Sequence, residues 1–113
     1  MKGLKMHGQA RETIRGFSKS AKTDIGELLR ELQDGETPAF PDSRPMPIIE
    51  RGSYELRVRD ADGIYRVFYY LKAAEYILVF HAFTKKTRTT PQSEIETGRR
   101  RLWQMLKELE PKK

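Results

Sequence analysis

Apolar positions along the chain change their spacing twice. Ala21, Ile25, Leu28, Leu29 and Leu32 recur at intervals that set them on one side of a helix. Ser18 or Ser20 is suited to cap its start, and Asp34-Gly35 supplies the stop, because Gly35 takes the left-handed conformation readily. Ala10, Ile14 and Phe17 predict a shorter helix before it, broken near Gly16, so the front of the chain reads as a helical hairpin. Four of the six prolines fall in ETPAFPDSRPMP, residues 36–47, and separate this front from a β-rich back.

Beyond the prolines the period becomes two. Tyr54, Leu56 and Val58 alternate with Glu55, Arg57 and Arg59, which predicts a strand with one wet face. DADG, Asp60 to Gly63, is a hairpin turn signal, and the β-branched and aromatic strand IYRVFYYLK follows. Ala73-Ala74 turns the chain into EYILVFHAF, its most apolar strand, giving an antiparallel meander.

From Pro91 the period returns to that of a helix. Thr90 is expected to be its N-cap, Pro91 its first residue, and Glu94 to sit near its positive end. Ile95, Leu102, Leu106 and Leu109 form the apolar stripe, Gly98 permits close approach to the sheet, and Arg99, Arg100 and Arg101 fill much of the remaining circumference. The order predicts an α+β fold: an N-terminal helical hairpin, a twisted antiparallel sheet of three long strands with short edge strands, and a C-terminal helix.

At 113 residues the chain is expected to form a single domain over 1–113. Its hydrophobic content of 37% supports a modest core, and its net charge of +6 favours phosphate polyanions or an acidic protein. With no cysteine, disulfides, thiolate catalysis and zinc-finger chemistry are excluded. No signal-peptide pattern or membrane-length apolar run occurs, so a cytoplasmic protein without a membrane partner is expected. No glycine-rich phosphate loop, paired metal-ligand histidines or nucleophile elbow is present, and the acids are scattered among bases. Neither a metal nor a cofactor is expected.

The candidate chemistry lies on the strands. Arg57 and Arg59 share a face, and hairpin pairing brings Arg66 within reach of them, a crowding of guanidinium groups that an anion would relieve. The alternative is a solvated face with Glu55, Asp60 and Asp62 as counterions. In HAFTKKTRTTP, Lys85, Lys86 and Arg88 fall where a strand ends and a helix begins, a place suited to phosphate; the alternative is a solvated loop. His81, expected to share a face with Ile77, Val79 and Phe83, is either an acid–base group or a buried, hydrogen-bonded histidine. His7 has no comparable setting. Phe68, Tyr70 and Phe83 either stack on unpaired bases or belong to the core.

Three stretches together, FSKSAKTDIGELLRELQDGETP, SYELRVRDADGIYRVFYYLK and ILVFHAFTKKTRTTPQSEIETGRRRL, resemble the RelE/ParE toxin superfamily, in particular its HigB-like, phage-derived branch, over residues 10–107. The resemblance implies a RelE-like fold and a toxin of a type II toxin–antitoxin system. It also implies a metal-independent mRNA endoribonuclease acting on the translating ribosome, with mRNA, the ribosome and a helix-turn-helix antitoxin as partners. Catalytic roles carry over to Arg57, Arg66, Lys85 and Lys86 and a basic role to Arg59; beside Arg59, the residues themselves make Phe83 and Arg88 the candidates for RNA contact. Some relatives use a tyrosine near the last helix, where this chain has Thr, Pro, Gln and Ser, and that departure places His81 among the catalytic candidates. The superfamily also contains the ParE-type inhibitors of DNA gyrase, and a nucleic-acid-binding module without chemistry is the third reading.

Overall fold

The structure is a computed structural model that describes residues 1–38, 42–85 and 89–110, with only the backbone of Lys85. The elements run β1 (Gly3–Met6), α1 (Gly8–Arg15), α2 (Lys19–Gln33), β2 (Ser43–Pro45), β3 (Ser53–Asp60), β4 (Gly63–Tyr70), β5 (Tyr76–Lys85) and α3 (Gln92–Glu108). This is the expected α+β order, from helical hairpin through sheet to C-terminal helix.

Both N-terminal helices start and stop as their residues dictate. Ser18 caps α2, its hydroxyl accepting from the Ala21 N–H at 3.1 Å, and Gly35 follows the helix with φ near +90°. The Ser18 hydroxyl also donates to the Asp60 carboxylate, whose other oxygen accepts the N–H groups of Asp62 (2.8 Å) and Gly63 (3.2 Å). One acidic side chain thus closes the β3–β4 turn and ties it to the start of α2. Asp60 is held below the usual carboxylate range, first by the Ser18 hydroxyl and also by these N–H groups, against some desolvation.

The sheet order is β1-β5-β4-β3-β2. The three long strands form the predicted meander, and the edge strands are short, but β1 pairs parallel to β5, so the sheet is mixed. Parallel pairing needs a crossover, here the α1–α2 hairpin and all that follows, which the short GLKM segment gave no local reason to expect. At the other edge β2 covers only Tyr54 to Leu56 of β3, held by a buried hydrogen bond between Ser43 and Tyr69 at 2.6 Å.

Each face of the sheet has its own core. Ala10, Ile14, Ala21, Ile25, Leu29 and Leu32 of the helical hairpin pack on Leu56, Val58, Val67, Tyr69, Ile77 and Val79. Ile95, Leu102 and Met105 of α3 pack on Phe68, Leu78, Phe80 and Phe83 opposite. The helices therefore sandwich the sheet, and β3 is buried on both sides over much of its length, where one wet face was expected. Leu56 and Glu55 are both fully buried.

A bulge decides the faces of β5. His81 pairs with Phe68 while Tyr69 pairs with Val79, which leaves Phe80 as an extra residue between the two registers. Ile77 and Val79 consequently face the hairpin, whereas His81 and Phe83 stand beside Phe68 under α3. The strict alternation that grouped His81 with Ile77 and Val79 fails at this one residue. Among the described residues no helix is long and apolar enough to cross a membrane.

Candidate anion site on the sheet face under the last helix

Arg57 and Arg66 are direct cross-strand partners on β3 and β4, and Phe83 is the β5 residue opposite Arg66. One step along the sheet, Glu55, Phe68 and His81 form the adjoining row. The hairpin register does what the DADG turn promised: it sets two guanidinium groups side by side.

Their surroundings differ from the solvated face that was the alternative. Glu55 and Arg66 are both fully buried, and Arg66 Nη1 donates to Glu55 Oε1 at 2.5 Å. Arg44 Nε donates to the same oxygen at 3.1 Å, while the Thr90 hydroxyl donates to Glu55 Oε2 at 3.0 Å. Arg44 Nη2 in turn donates to the Thr90 oxygen at 3.1 Å. Three elements are fastened here: β2, the central hairpin and the lead-in to α3. Thr90 is occupied by this network and does not cap α3; Pro91 stands at the N-cap with no side-chain bond, and the helix begins at Gln92.

Arg66 is not saturated by Glu55. Its Nε and Nη2 are buried without a hydrogen-bond partner among the described residues. Buried donors left unmade cost roughly 1–3 kcal/mol each, and more on a charged group, so Glu55 offsets only part of the cost of burying this guanidinium. Arg57, half-buried beside it, has its pKa pushed below the usual guanidinium value, first by desolvation and then by the positive charge of Arg66, with Glu55 opposing. The arrangement can bind an anion: it gathers donors and positive charge in a partly dehydrated place, where each interaction is stronger than in water.

His81 is buried and bonded on both sides. Its Nε2 lies 2.9 Å from Glu94 Oε1, and its Nδ1 lies 2.8 Å from Arg101 Nη1. A guanidinium can only donate, so Nδ1 accepts and the ring proton sits on Nε2, donated to Glu94. Burial is the main cause of its lowered pKa; Arg101 and Arg100 add to it, while Glu94 opposes it. Arg101 is itself held by the Gln9 side chain of α1 at 2.7 Å, and its pKa is lowered by burial and by Arg100. Both ring nitrogens are thus engaged, with side chains rather than backbone as their partners. His7 also has a definite role, capping α1 and bonding Gln104 of α3 at 3.0 Å.

Of the remaining candidates, Phe83 is a core residue, with ring centroids 5.3 Å from both Phe68 and His81, so the surface expected to stack on RNA is covered by protein. Phe68 is likewise fully buried. Arg59 is exposed at the β3 edge, beside a groove that it shares with Arg57 and with Asp24, Glu27 and Glu31 of α2. The backbone of Lys85 ends β5, paired with Ile64, while Lys86 and Arg88 lie outside the described residues. The pattern reading missed Arg44, Thr90, Glu94 and Arg101 as partners and offered Glu55 no role but that of a surface counterion, in its alternative of a solvated face. Only Glu94 and Arg101 left a signal, being seven apart and so on one side of α3. Among the described residues, no three His, Cys, Asp or Glu side chains are gathered as a metal ion would require.

Comparison with known proteins places this architecture. The free-state structure of a mutant of the E. coli toxin RelE superposes with a TM-score of 0.63 over 92% of this chain and 97% of that one, at 13% sequence identity. The fold is therefore RelE-like. Residues 12–103 match the family described as phage derived protein Gp49-like, and the chain belongs to that family. No curated protein matches the chain.

Proposed function

We propose that this protein is the toxin of a toxin–antitoxin pair and cleaves mRNA on the translating ribosome without a metal ion. The observation that carries the reading is the Arg57–Arg66 pair, in which a half-buried guanidinium, its pKa lowered, stands beside a fully buried one. The RelE-like fold and the Gp49-like family membership support it.

Metal-free RNA cleavage requires that the ribose 2′-oxygen lose its proton, attack the adjacent phosphorus and expel the 5′-oxygen, which takes up a proton. Arg57 stabilises the negative charge that grows on the phosphorane oxygens, the step at which fixed donors contribute most, and Arg66, buried on Glu55, adds its positive charge from behind. The two ring nitrogens of His81 are engaged by Glu94 and Arg101, so proton transfer is assigned to the lysine pair Lys85 and Lys86 and His81 to holding α3 on the sheet. The ribosome supplies the orientation of the mRNA that so small a site lacks. The cytoplasm is the compartment this activity requires, and an antitoxin is the partner that restrains it.

The test is cut-site mapping by primer extension in a translating extract, with and without ribosomes. New 5′ ends inside translated regions are expected with the parent protein and not with the Arg57→Gln and Lys86→Gln variants. Unchanged ends in both variants would dismiss the site. DNA breakage with intact mRNA would replace the reading with gyrase poisoning, and salt-sensitive RNA binding without any product would replace it with a binding module.

A further inference from the structure

The outer side of α3 carries an apolar surface that the proposed chemistry does not use. Trp103 is 62% exposed and Ile48 51% exposed; among the described residues the one other large hydrophobic side chain so exposed is Met1 at the chain start. The two are drawn to one side of the molecule because Arg99 donates to the Ile48 carbonyl, its Nε at 3.0 Å, and so fixes the β2–β3 connection against the helix. A groove of about 350 Å³ opens there, floored by Ile49, Leu102 and Leu106 and walled by Trp103, Arg99 and Arg100. A second groove of about 420 Å³ continues on the far side of Ile48 towards Ile95, Thr90 and Arg44.

We propose that this surface docks an acidic amphipathic helix of another protein. The apolar floor and an exposed indole match the apolar stripe of such a helix, since tryptophan is enriched among the residues that anchor protein interfaces. The charges on the rim choose its flanks. Arg100 makes no ion pair or hydrogen bond among the described residues, and Lys107 Nζ lies 5.8 Å from the centre of the Trp103 ring. With Arg99 they outnumber Glu50, the one acid lining the groove. A second copy of this chain would bring the same arginines against each other, so charge complementarity favours a different, acidic partner. The stretch from Ile95 to Leu106 spans about 17 Å, three turns of a partner helix laid alongside. The far groove ends at Arg44 and Thr90, which hold Glu55, so an occupant of the full length would touch the network that positions Arg66.

Trp103 is the only tryptophan of the chain, so its emission reports occupancy directly. The full-length protein is titrated with a synthetic helix of about 18 residues, leucine on one face and glutamate elsewhere, with the same peptide carrying lysine for glutamate, and with a single-stranded RNA oligonucleotide. The glutamate peptide should shift the emission to the blue, and the lysine peptide and RNA should not. By anisotropy of a labelled peptide, Trp103→Ser should weaken binding roughly tenfold or more. Arg100→Glu should weaken the glutamate peptide and strengthen the lysine peptide, a reversal that a merely unfolded variant cannot produce. Failure of the glutamate peptide to bind, equal binding of both peptides, a blue shift with RNA in place of peptide, or sedimentation as a dimer with Trp103 already shielded would each overturn the proposal. None of these readouts depends on RNA cleavage.

Discussion

Glu55 and Arg66 form an ion pair that solvent does not reach at all, 2.5 Å between Oε1 and Nη1, on adjacent central strands of the sheet. Desolvating two charges is expensive, and each justifies the other's burial only while both are present. Arg66→Met or Glu55→Leu alone should therefore lower the unfolding free energy by about 3–5 kcal/mol, whereas the double change should cost far less than the sum, the remaining loss coming from the Arg44 and Thr90 bonds to Glu55. Urea unfolding of the four proteins measures this; additive losses would show that the pair is not coupled. It follows that loss of cleavage in an Arg66 variant says little about catalysis unless its folding is measured too.

Arg57 offers the cleaner probe of chemistry. It is only half-buried at the β3 edge, so Arg57→Gln should change stability by about 1 kcal/mol or less while lowering single-turnover cleavage by about 10²–10³-fold, the range expected when one donor to a charged transition state is removed. Mutant and parent should then unfold at nearly the same urea concentration and differ in rate.

His81 should make stability depend on pH in a definite direction. Its folded pKa lies below the ordinary 6.5, chiefly because the ring is buried, so the unfolded chain takes up the proton first. The stability that neutral His81 provides is complete above pH 6.5 and is lost as the pH falls from there towards the folded value. The slope is at most about 1.4 kcal/mol per pH unit. In His81→Gln, stability should vary less between about pH 7.5 and 5.5 than in the parent, as urea midpoints at the two pH values will show. A parent profile that rises on acidification would contradict the Arg101–His81–Glu94 arrangement.

Gly98 is where α3 touches the sheet. A Cβ there would stand 3.0 Å from Cδ2 of Phe68 and 3.2 Å from Cε2 of Phe80, two fully buried rings that would have to shift by a few tenths of an ångström. Gly98→Ala ordinarily gains about 1 kcal/mol of helix propensity, but overpacking of about 1–3 kcal/mol should outweigh it. A lower thermal midpoint is expected, with Gly26→Ala of α2, whose Cβ would meet nothing within 4 Å, rising instead as the control.

Much of the protein was written in local pattern. The spacing of Ala21, Ile25, Leu29 and Leu32 determined α2 and its buried face; Ser18 and Gly35 determined its ends; the DADG turn determined that Arg66 would come within reach of Arg57 or Arg59, and the register chose Arg57. These follow from the sequence alone because caps, turns and periodicity act within a few residues. What only the tertiary structure decided is which faces are covered. Alternation places Glu55 and Arg57 on one side of β3, but the return of α3 over that side turns Glu55 from a surface counterion into the buried partner of Arg66. The single extra residue Phe80 turns His81 away from Ile77 and Val79 towards Glu94 and Arg101, and Thr90, well suited to cap a helix, serves Glu55 instead. A residue's local pattern says with which neighbours it shares a side. Its charge state and its role are set by the dielectric and the partners on that side, and these come from elements tens of residues away.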